Sequence, residues 1–287
     1  LWKWKCWKKD CSNFIKHKFR YNQKIKLLMK KISLNDHENY LKKNIFFTEN
    51  KWPHFELIFK DIKKFSKSIK TNSTIVSLER NNLYGGVSLF APYFSKSDFI
   101  SVDCSMPKIR KRGNYNKIEN RSLIIEKKNN YLFNFNKIKL KKNFADLILV
   151  PNLMHHIPDI EIFFTQIKDI LKKNGRLYIF EPLVRELHQE PDDYYRITPY
   201  GFKHILKKYG FKNFQIEFNG GPFTAVGYCW DQAIQYLPRS KKMKMKKWLD
   251  NEMRKLIKMD KLYKKNNFRK NTSFPMSFSI TSKLIKK

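Results

Sequence analysis

Short apolar, β-branched runs alternate with amphipathic helical patterns through the middle of the chain, and this alternation restricts the fold most. The predicted strands are residues 74–78, 98–103, 146–150, 176–180, 211–218 and 278–284. Strands that alternate with helices form βαβ units, whose sheet is mostly parallel and covered by helices on both faces. The sequence therefore predicts an α/β fold with a Rossmann-like, doubly wound sheet, an N-terminal helical extension and a helical insertion before the last strand.

Capping residues mark where several helices begin and end. An amphipathic helix is predicted over residues 54–70. Asp159 is a suitable N-cap for the next helix, and Gly175 is expected at the C′ position that closes it. Thr198 is the expected N-cap of a further helix, which would begin at Pro199.

The charge divides the chain into three parts. Residues 1–73 hold 19 Lys and Arg against 6 Asp and Glu, and residues 238–287 hold 17 against 3, whereas residues 74–237 are nearly ordinary. We therefore expect a basic N-terminal helical extension over 1–73, the α/β domain over 74–237, and a basic helical insertion with the final strand over 238–287. The chemistry is expected in the middle part.

The formal net charge of +35 allows two interpretations. A nucleic acid or an anionic membrane could be the partner. Alternatively, an A/T-rich genome would enrich Lys over Arg without selection for binding, and 49 of the 60 basic residues are Lys. Phosphate-binding proteins favour Arg, whose guanidinium forms two hydrogen bonds to phosphate. The composition therefore favours the second interpretation, in which an A/T-rich genome enriched Lys without selection for binding.

Ligands of such sheets bind at the carboxyl ends of the strands. The first strand runs into a loop in which Gly85 and Gly86 would let a nucleotide approach the backbone, although an ordinary connecting loop fits equally well. The second strand ends at Asp103, which is placed to accept hydrogen bonds from the hydroxyl groups of a ribose. The alternative is that Asp103 is an ordinary solvated carboxylate at a strand end.

Polar residues also follow the third and fourth strands. His155 and His156 could each accept a proton near neutral pH, but a packing role is the more common one, and adjacent side chains are expected to point in different directions. His188, Tyr194 and Arg196 could hold a hydroxylated substrate. The alternative is a connector in which Arg196 pairs with Asp192 or Asp193.

Three motifs together resemble a known family. These are the strand at 146–150 followed by His155-His156-Ile157-Pro158-Asp159, the segment Leu171-Lys172-Lys173-Asn174-Gly175-Arg176-Leu177, and HQEPDDYYRITPYG at 188–201. The combination resembles the class I S-adenosylmethionine-dependent methyltransferases of type 11, including those that accompany surface-polysaccharide biosynthesis. The resemblance covers about residues 74–237 and the last strand.

The resemblance implies S-adenosylmethionine as cofactor and a set of residues around it. Residues 77–86 would form the cofactor loop, Asp103 would bind the ribose, and Asn152 would lie beside the methionine part. Glu79, Asn81 and Leu83 stand where the family has glycines. The implied cofactor-binding residues are Ser77, Glu79, Asn81, Gly85, Gly86, Asp103, Asn134, Phe135 and Asn152.

The expected reaction is methyl transfer to a hydroxyl group of a small molecule or glycan. His155, His156 or His188 would be the base, and Tyr194 and Arg196 would bind the acceptor. The glycine-poor loop favours a second hypothesis, a methyltransferase-shaped binding or scaffold protein without catalysis. The charge favours a third, a nucleic-acid methyltransferase, against which stands the absence of an Asp/Asn-Pro-Pro-Tyr motif.

Cys6, Cys11, Cys104 and Cys229 match no metal or disulfide spacing, so we expect no metal and a cytoplasmic protein. The sequence contains no run of about 18 apolar residues, so no membrane-spanning helix is predicted. Residues 240–265 are predicted to form a Lys-rich helix with one apolar stripe. The stripe either packs on the domain or lies on the anionic inner face of the membrane.

Overall fold

The structure is a computed structural model that describes residues 33–44, 54–79, 88–104, 140–187, 190–266 and 274–286. The strands in these residues are β1 (Thr74–Glu79), β2 (Asp98–Asp103), β3 (Ala145–Pro151), β4 (Leu171–Pro182), β5 (Phe211–Asn219) and β6 (Ser277–Leu284). The helices are α1 (Leu34–Asn44), α2 (His54–Ser68), α3 (Ile160–Ile170), α4 (Pro199–Lys208), α5 (Pro222–Ile234) and α6 (Arg239–Asn266).

The six strands form one sheet in the order β2-β1-β3-β4-β6-β5. Strands β1 to β4 pair in parallel, and β6 runs antiparallel to both β4 and β5. Five strands therefore point the same way and their carboxyl ends lie along one edge, which we call the ligand edge. The predicted Rossmann-like, mostly parallel sheet is confirmed.

Side chains of the central strands alternate between two buried clusters, one on each face of the sheet. Val76, Ile148 and Ile179 belong to the cluster covered by α3 and α4, whereas Ile75 and Leu149 belong to the cluster covered by α1 and α2. Because successive strand residues point to opposite faces, a continuous apolar run is needed to fill both. Helices on both faces were predicted from the alternation of strands with helices, and this prediction is confirmed.

Two predicted helix starts are confirmed by their hydrogen bonds. The side chain of Asp159 accepts a hydrogen bond from the backbone of Ile162 at 2.9 Å, and that of Thr198 accepts one from Gly201 at 3.1 Å. Each bond satisfies a backbone N–H that the first turn of a helix leaves without a partner.

The predicted helix end at Gly175 is wrong. Helix α3 ends at Ile170, and β4 begins at Leu171, so Gly175 lies inside a strand. The pairing of β3 with β4 is irregular between Ala145 and Leu147, and Asn174 has a φ of 64°. A Cβ at Gly175 would lie 2.9 Å from the Lys172 carbonyl oxygen, so the bend selects glycine for close packing rather than for a helix end.

The helices outside the central part pack either on the sheet or on a neighbouring helix. In α2, Ile58, Phe59 and Ile62 are almost fully buried. In α6, Leu249 and Met253 are buried against Ile234 of α5. No helix in the described part of the chain is both long and apolar enough to cross a membrane.

Candidate functional site

The first two strands end level with each other at the ligand edge. Glu79 and Asp103 are partners in the parallel register of β1 and β2, and the backbone N–H of Cys104 donates to the Glu79 carbonyl at 2.6 Å. Asp103 is thus the last residue of β2, directly beside the start of the predicted cofactor loop. The topology thus places side by side two residues that were predicted to bind the cofactor.

The Glu79 side chain is hydrogen-bonded to Ser88, the next described residue along the chain. Its carboxylate is buried and accepts a hydrogen bond of 2.6 Å from the Ser88 hydroxyl, whose oxygen accepts from the backbone N–H of Phe90. The hydrogen bond therefore joins the described residues that flank 80–87. Ser77 lies two residues earlier in β1 and is fully buried.

Several predicted site residues lie outside the described part of the chain. They are Asn81, Gly85, Gly86, Asn134, Phe135 and His188.

A turn with an uncommon backbone conformation follows β3. Asn152 has a φ of 56°, a region that asparagine tolerates better than most residues. Its side-chain oxygen accepts a hydrogen bond of 3.2 Å from Arg185, and its backbone N–H donates to Phe180 at 2.8 Å. Asn152, predicted beside the cofactor, thus joins the ends of β3 and β4.

His155 and Glu181 form a buried pair where β3 and β4 end. Nδ1 of His155 lies 2.6 Å from one carboxylate oxygen of Glu181, and the other oxygen accepts the backbone N–H of Met154 at 2.7 Å. The side chains are 1% and 4% exposed. Because an ionised carboxylate only accepts hydrogen bonds, Nδ1 is the donor, and the neutral ring carries its lone pair on Nε2. A third group that orients a base in this way is typical of acid–base sites.

His156 lies beside His155 rather than opposite it. The two rings are 4.0 Å apart between centroids and inclined by 46°, and Nδ1 of His156 donates to the backbone carbonyl of Asp192. Both residues belong to one 3₁₀ turn, Met154–His156, and residues 190–194 fold over it. The expectation that the two side chains diverge is wrong, because that loop gives a buried acceptor to the second ring.

The loop after β4 is held by its own ion pair. Arg196 donates to both carboxylate oxygens of Asp193, at 2.6 and 2.8 Å, and to the carbonyl of Glu186 at 3.0 Å. The bond to Asp193 raises the pKa of Arg196 above its ordinary value. The Tyr194 hydroxyl donates to Asp192 at 2.9 Å. The salt-bridged connector, one of the two sequence interpretations, is therefore present. Both Arg196 and Tyr194 are hydrogen-bonded to acidic residues of their own loop.

His155, His156 and Asp193 each have one metal-ligating atom within 4.8 Å of the others. A cation could be held at such a distance after small movements of the side chains. However, the Asp193 carboxylate is already paired with the guanidinium of Arg196. Arg196 therefore supplies the positive charge that a metal ion would otherwise bring to this carboxylate.

Helix α5 brings further residues to the ligand edge that sequence reasoning missed. The Tyr228 hydroxyl donates to the carboxylate of Glu186, and burial raises the pKa of Tyr228 well above its ordinary value. Ala225 and Tyr228 pack with Val184, which follows β4. Gly220-Gly221-Pro222, a turn followed by a proline suited to a helix start, was the available signal that α5 begins at this edge.

One family model matches the central part of the chain. Residues 85–179, about a third of the chain, match the family model described as a methyltransferase domain. This range runs from the predicted cofactor loop through β2, β3 and α3 into β4. No curated protein matches the chain.

Solved structures give distant similarities. The chain is similar to a SAM-dependent methyltransferase from Archaeoglobus fulgidus, with 15% identity over 84% of this chain and 100% of that one, at a TM-score of 0.44. It is similar to phosphoethanolamine N-methyltransferase 2 of Haemonchus contortus in complex with S-adenosyl-L-methionine, with 14% identity over 88% and 60% of the two chains, at 0.44. For the YcgJ protein of Bacillus subtilis, the identity is 10% over 80% and 100%, at 0.44.

Proposed function

We propose that the chain, whose residues 85–179 match a methyltransferase domain, is a class I methyltransferase that uses S-adenosylmethionine and transfers the methyl group to a hydroxyl group of a small molecule or glycan. The observation that carries the hydroxyl assignment is the buried His155–Glu181 pair at the ligand edge. Methyl transfer to a hydroxyl oxygen requires removal of a proton, and this pair is built to accept one.

Two strand ends are the proposed contacts with the cofactor. Asp103 closes β2 beside Glu79, where an acid can accept the ribose hydroxyl groups, and Asn152 closes the turn after β3. Asp103 would hold the ribose and Asn152 would lie along the methionine part. When bound, the cofactor supplies an electrophilic methyl group on a sulfonium.

His155 is the proposed base, with Glu181 as its positioning residue. Glu181 holds the proton on Nδ1, which leaves the Nε2 lone pair for the proton of the acceptor hydroxyl. Nε2 is buried, so the side chains that cover it would have to move when the acceptor binds. The same carboxylate stabilises the imidazolium that results, because the pair lies in a water-poor interior where the charges attract strongly. The chain's further contribution is to hold the acceptor in line with the methyl group.

The acceptor would lie between the loop after β4 and the start of α5. Tyr194 is exposed there and Arg196 is half-buried, and both were predicted to bind the acceptor. Arg196 is paired with Asp193 and has only donors, whereas the Tyr194 hydroxyl, which donates to Asp192, keeps an oxygen that can accept a hydrogen bond from a hydroxylated molecule.

Calorimetric titration with S-adenosylmethionine is the first test. Saturable binding at one site is expected. Absence of binding would support the alternative of a binding or scaffold protein, which the replacement of the family's glycines by Glu79, Asn81 and Leu83 favours.

A screen of hydroxylated small molecules and glycans, read out as S-adenosylhomocysteine formed, is the second test. We expect His155→Ala to lower turnover about 10²-fold or more, whereas His204→Ala, at an exposed position on α4, should leave it unchanged. His156→Ala and His188→Ala complete the set. Full activity in the His155 variant would refute its role as base.

A further inference from the structure

Helix α6 has one face fixed against the protein. Leu249 and Met253 are buried against α5, and the carboxylate of Asp260 accepts hydrogen bonds from the backbone N–H groups of Phe223 and Thr224 at 3.0 and 2.9 Å. These contacts set the rotation of α6 about its axis, and they determine which residues face outward.

An exposed stripe of mixed chemistry runs along the flank of that helix. At 100° per residue its members fall within a sector of about 60°. They are Lys241, Lys244, Trp248, Lys255, Met259 and Leu262, all exposed. We call this set the α6 stripe.

A second tryptophan lies next to the stripe. Trp230 of α5 packs edge-on against Trp248, with 5.7 Å between ring centroids and an angle of 72° between the rings. The two residues are 45% and 44% exposed. Both indoles therefore keep a large apolar surface in contact with solvent although they touch each other.

The chemistry of the α6 stripe fits an anionic lipid surface. Lysines near such a surface each contribute about 1 kcal/mol of attraction, and tryptophan prefers the boundary between lipid and water. Glu252 lies beside the stripe and is paired with Lys255 at 2.8 Å, so the net positive charge of the stripe comes from Lys241 and Lys244. Genomic drift toward A/T-rich codons would explain the lysines but not the tryptophans, whose codon is G-rich.

The hairpin of α5 and α6 is attached to the ligand edge. Helix α5 begins at Pro222, three residues after β5 ends at Asn219, and its Tyr228 donates to Glu186 in the loop after β4. A surface that binds this hairpin is therefore tied to the side of the sheet where the acceptor would enter.

We propose that the chain docks on an anionic membrane surface through the α6 stripe, and that its acceptor hydroxyl is carried on a membrane lipid. The second half rests on the proposed methyltransferase function; the docking does not.

Co-sedimentation with vesicles tests the docking on the full chain. The probes are phosphatidylcholine vesicles with and without phosphatidylglycerol. We expect binding to the anionic vesicles, and about tenfold or greater weakening in the triple variant Lys241→Gln, Lys244→Gln, Lys255→Gln. The matched control, Lys207→Gln, Lys208→Gln, Lys212→Gln, removes the same charge from exposed positions at α4 and β5 and should bind almost as the wild type does.

Trp248→Gln tests the apolar part of the contact. We expect weaker vesicle binding at high salt, where the electrostatic attraction is screened and the indole contributes relatively more. Titration with S-adenosylmethionine on the same variants should be unchanged, which separates a failure of docking from a failure of cofactor binding.

Three outcomes would overturn the docking proposal. They are equal binding to neutral and anionic vesicles, equal loss in the two triple variants, and selective binding of RNA in place of vesicles with a steep salt dependence. If docking holds but methyl transfer to lipid extracts is absent while water-soluble acceptors react, only the lipid-linked acceptor is refuted.

Discussion

At the scale of single residues, the site depends on partners that sequence patterns do not reveal. The adjacent histidines were recognisable, since they follow a buried strand at the ligand end of a parallel sheet. Glu181 was not selected, because it reaches His155 only once β3 and β4 lie side by side. Glu181 is 26 residues from His155, and no local sequence pattern indicates a hydrogen bond between residues so far apart in the chain.

Glu181→Gln should release His155 from its orientation. Glu181 accepts from two donors through two oxygens, whereas glutamine has one acceptor oxygen and would direct its NH₂ group at the other donor. We expect the downfield proton resonance of His155 Nδ1 to disappear from the NMR spectrum, and turnover to fall about 10²-fold with a shifted pH profile.

Glu161→Gln, at an exposed position in the first turn of α3, is the matched control and should change neither property. A preserved Nδ1 resonance in Glu181→Gln, with an unchanged pH profile, would show that the pair is not needed for positioning.

Asp61 provides a prediction about pH. Burial raises the pKa of Asp61 above its ordinary value of 3.8, although the 2.7 Å hydrogen bond from Ser279 opposes this. The folded state therefore holds this proton more tightly than the unfolded state, so the contribution of Asp61 to stability is fully present below pH 3.8 and is lost as the pH rises through the raised value.

Asp61→Asn should therefore gain stability relative to the wild type as the pH rises above 3.8, with a plateau once the wild-type carboxyl is ionised. Urea unfolding between pH 4 and 8 measures this difference. A difference that stays constant across the range would contradict the prediction.

At the scale of elements, strands and capped helix starts were predictable because their signals are local. Apolar runs and side chains such as those of Asp159 and Thr198 act within a few residues. The junction of α3 and β4 was mispredicted for the opposite reason. Leu171 pairs with Ala145 of β3, so β4 begins before Gly175. A glycine near the end of a helical pattern cannot reveal this pairing with a distant strand.

Asp260→Ala should loosen the α5–α6 hairpin. The Asp260 carboxylate accepts from two backbone N–H groups and the Thr224 hydroxyl at the start of α5, so alanine leaves buried donors without a partner. We expect a loss of about 2 kcal/mol or more in the free energy of unfolding, by urea denaturation. Asp250→Ala, exposed on the same helix, should cost less than about 0.5 kcal/mol. Equal costs would argue against this cap.

At the scale of the whole molecule, the N-terminal helices complete one of the two cores. Phe59 of α2 packs with Phe90 and Tyr93, and the same cluster contains Ile75 and Leu149 of the sheet. Residues before β1 therefore cover a face of the sheet that would otherwise be open to water.

Phe59→Ala should destabilise the whole molecule, by about 3–5 kcal/mol, with circular dichroism and fluorescence changing in one transition. Lys67→Ala, exposed in the last turn of α2, is the control and should cost little. A separate early transition, with the sheet intact, would show that α2 folds independently of it.

The sequence by itself determined the fold class and the sheet edge at which the candidate site was expected. Apolar runs, helix periodicity and caps are short-range properties, and they specify a mostly parallel sheet whose strand ends carry Asp103, Asn152 and His155. Only the tertiary structure decided which polar groups meet. The bonds of His155 to Glu181 and of Glu186 to Tyr228 join residues distant in the chain, because non-neighbouring segments are brought together by strand pairing and helix packing.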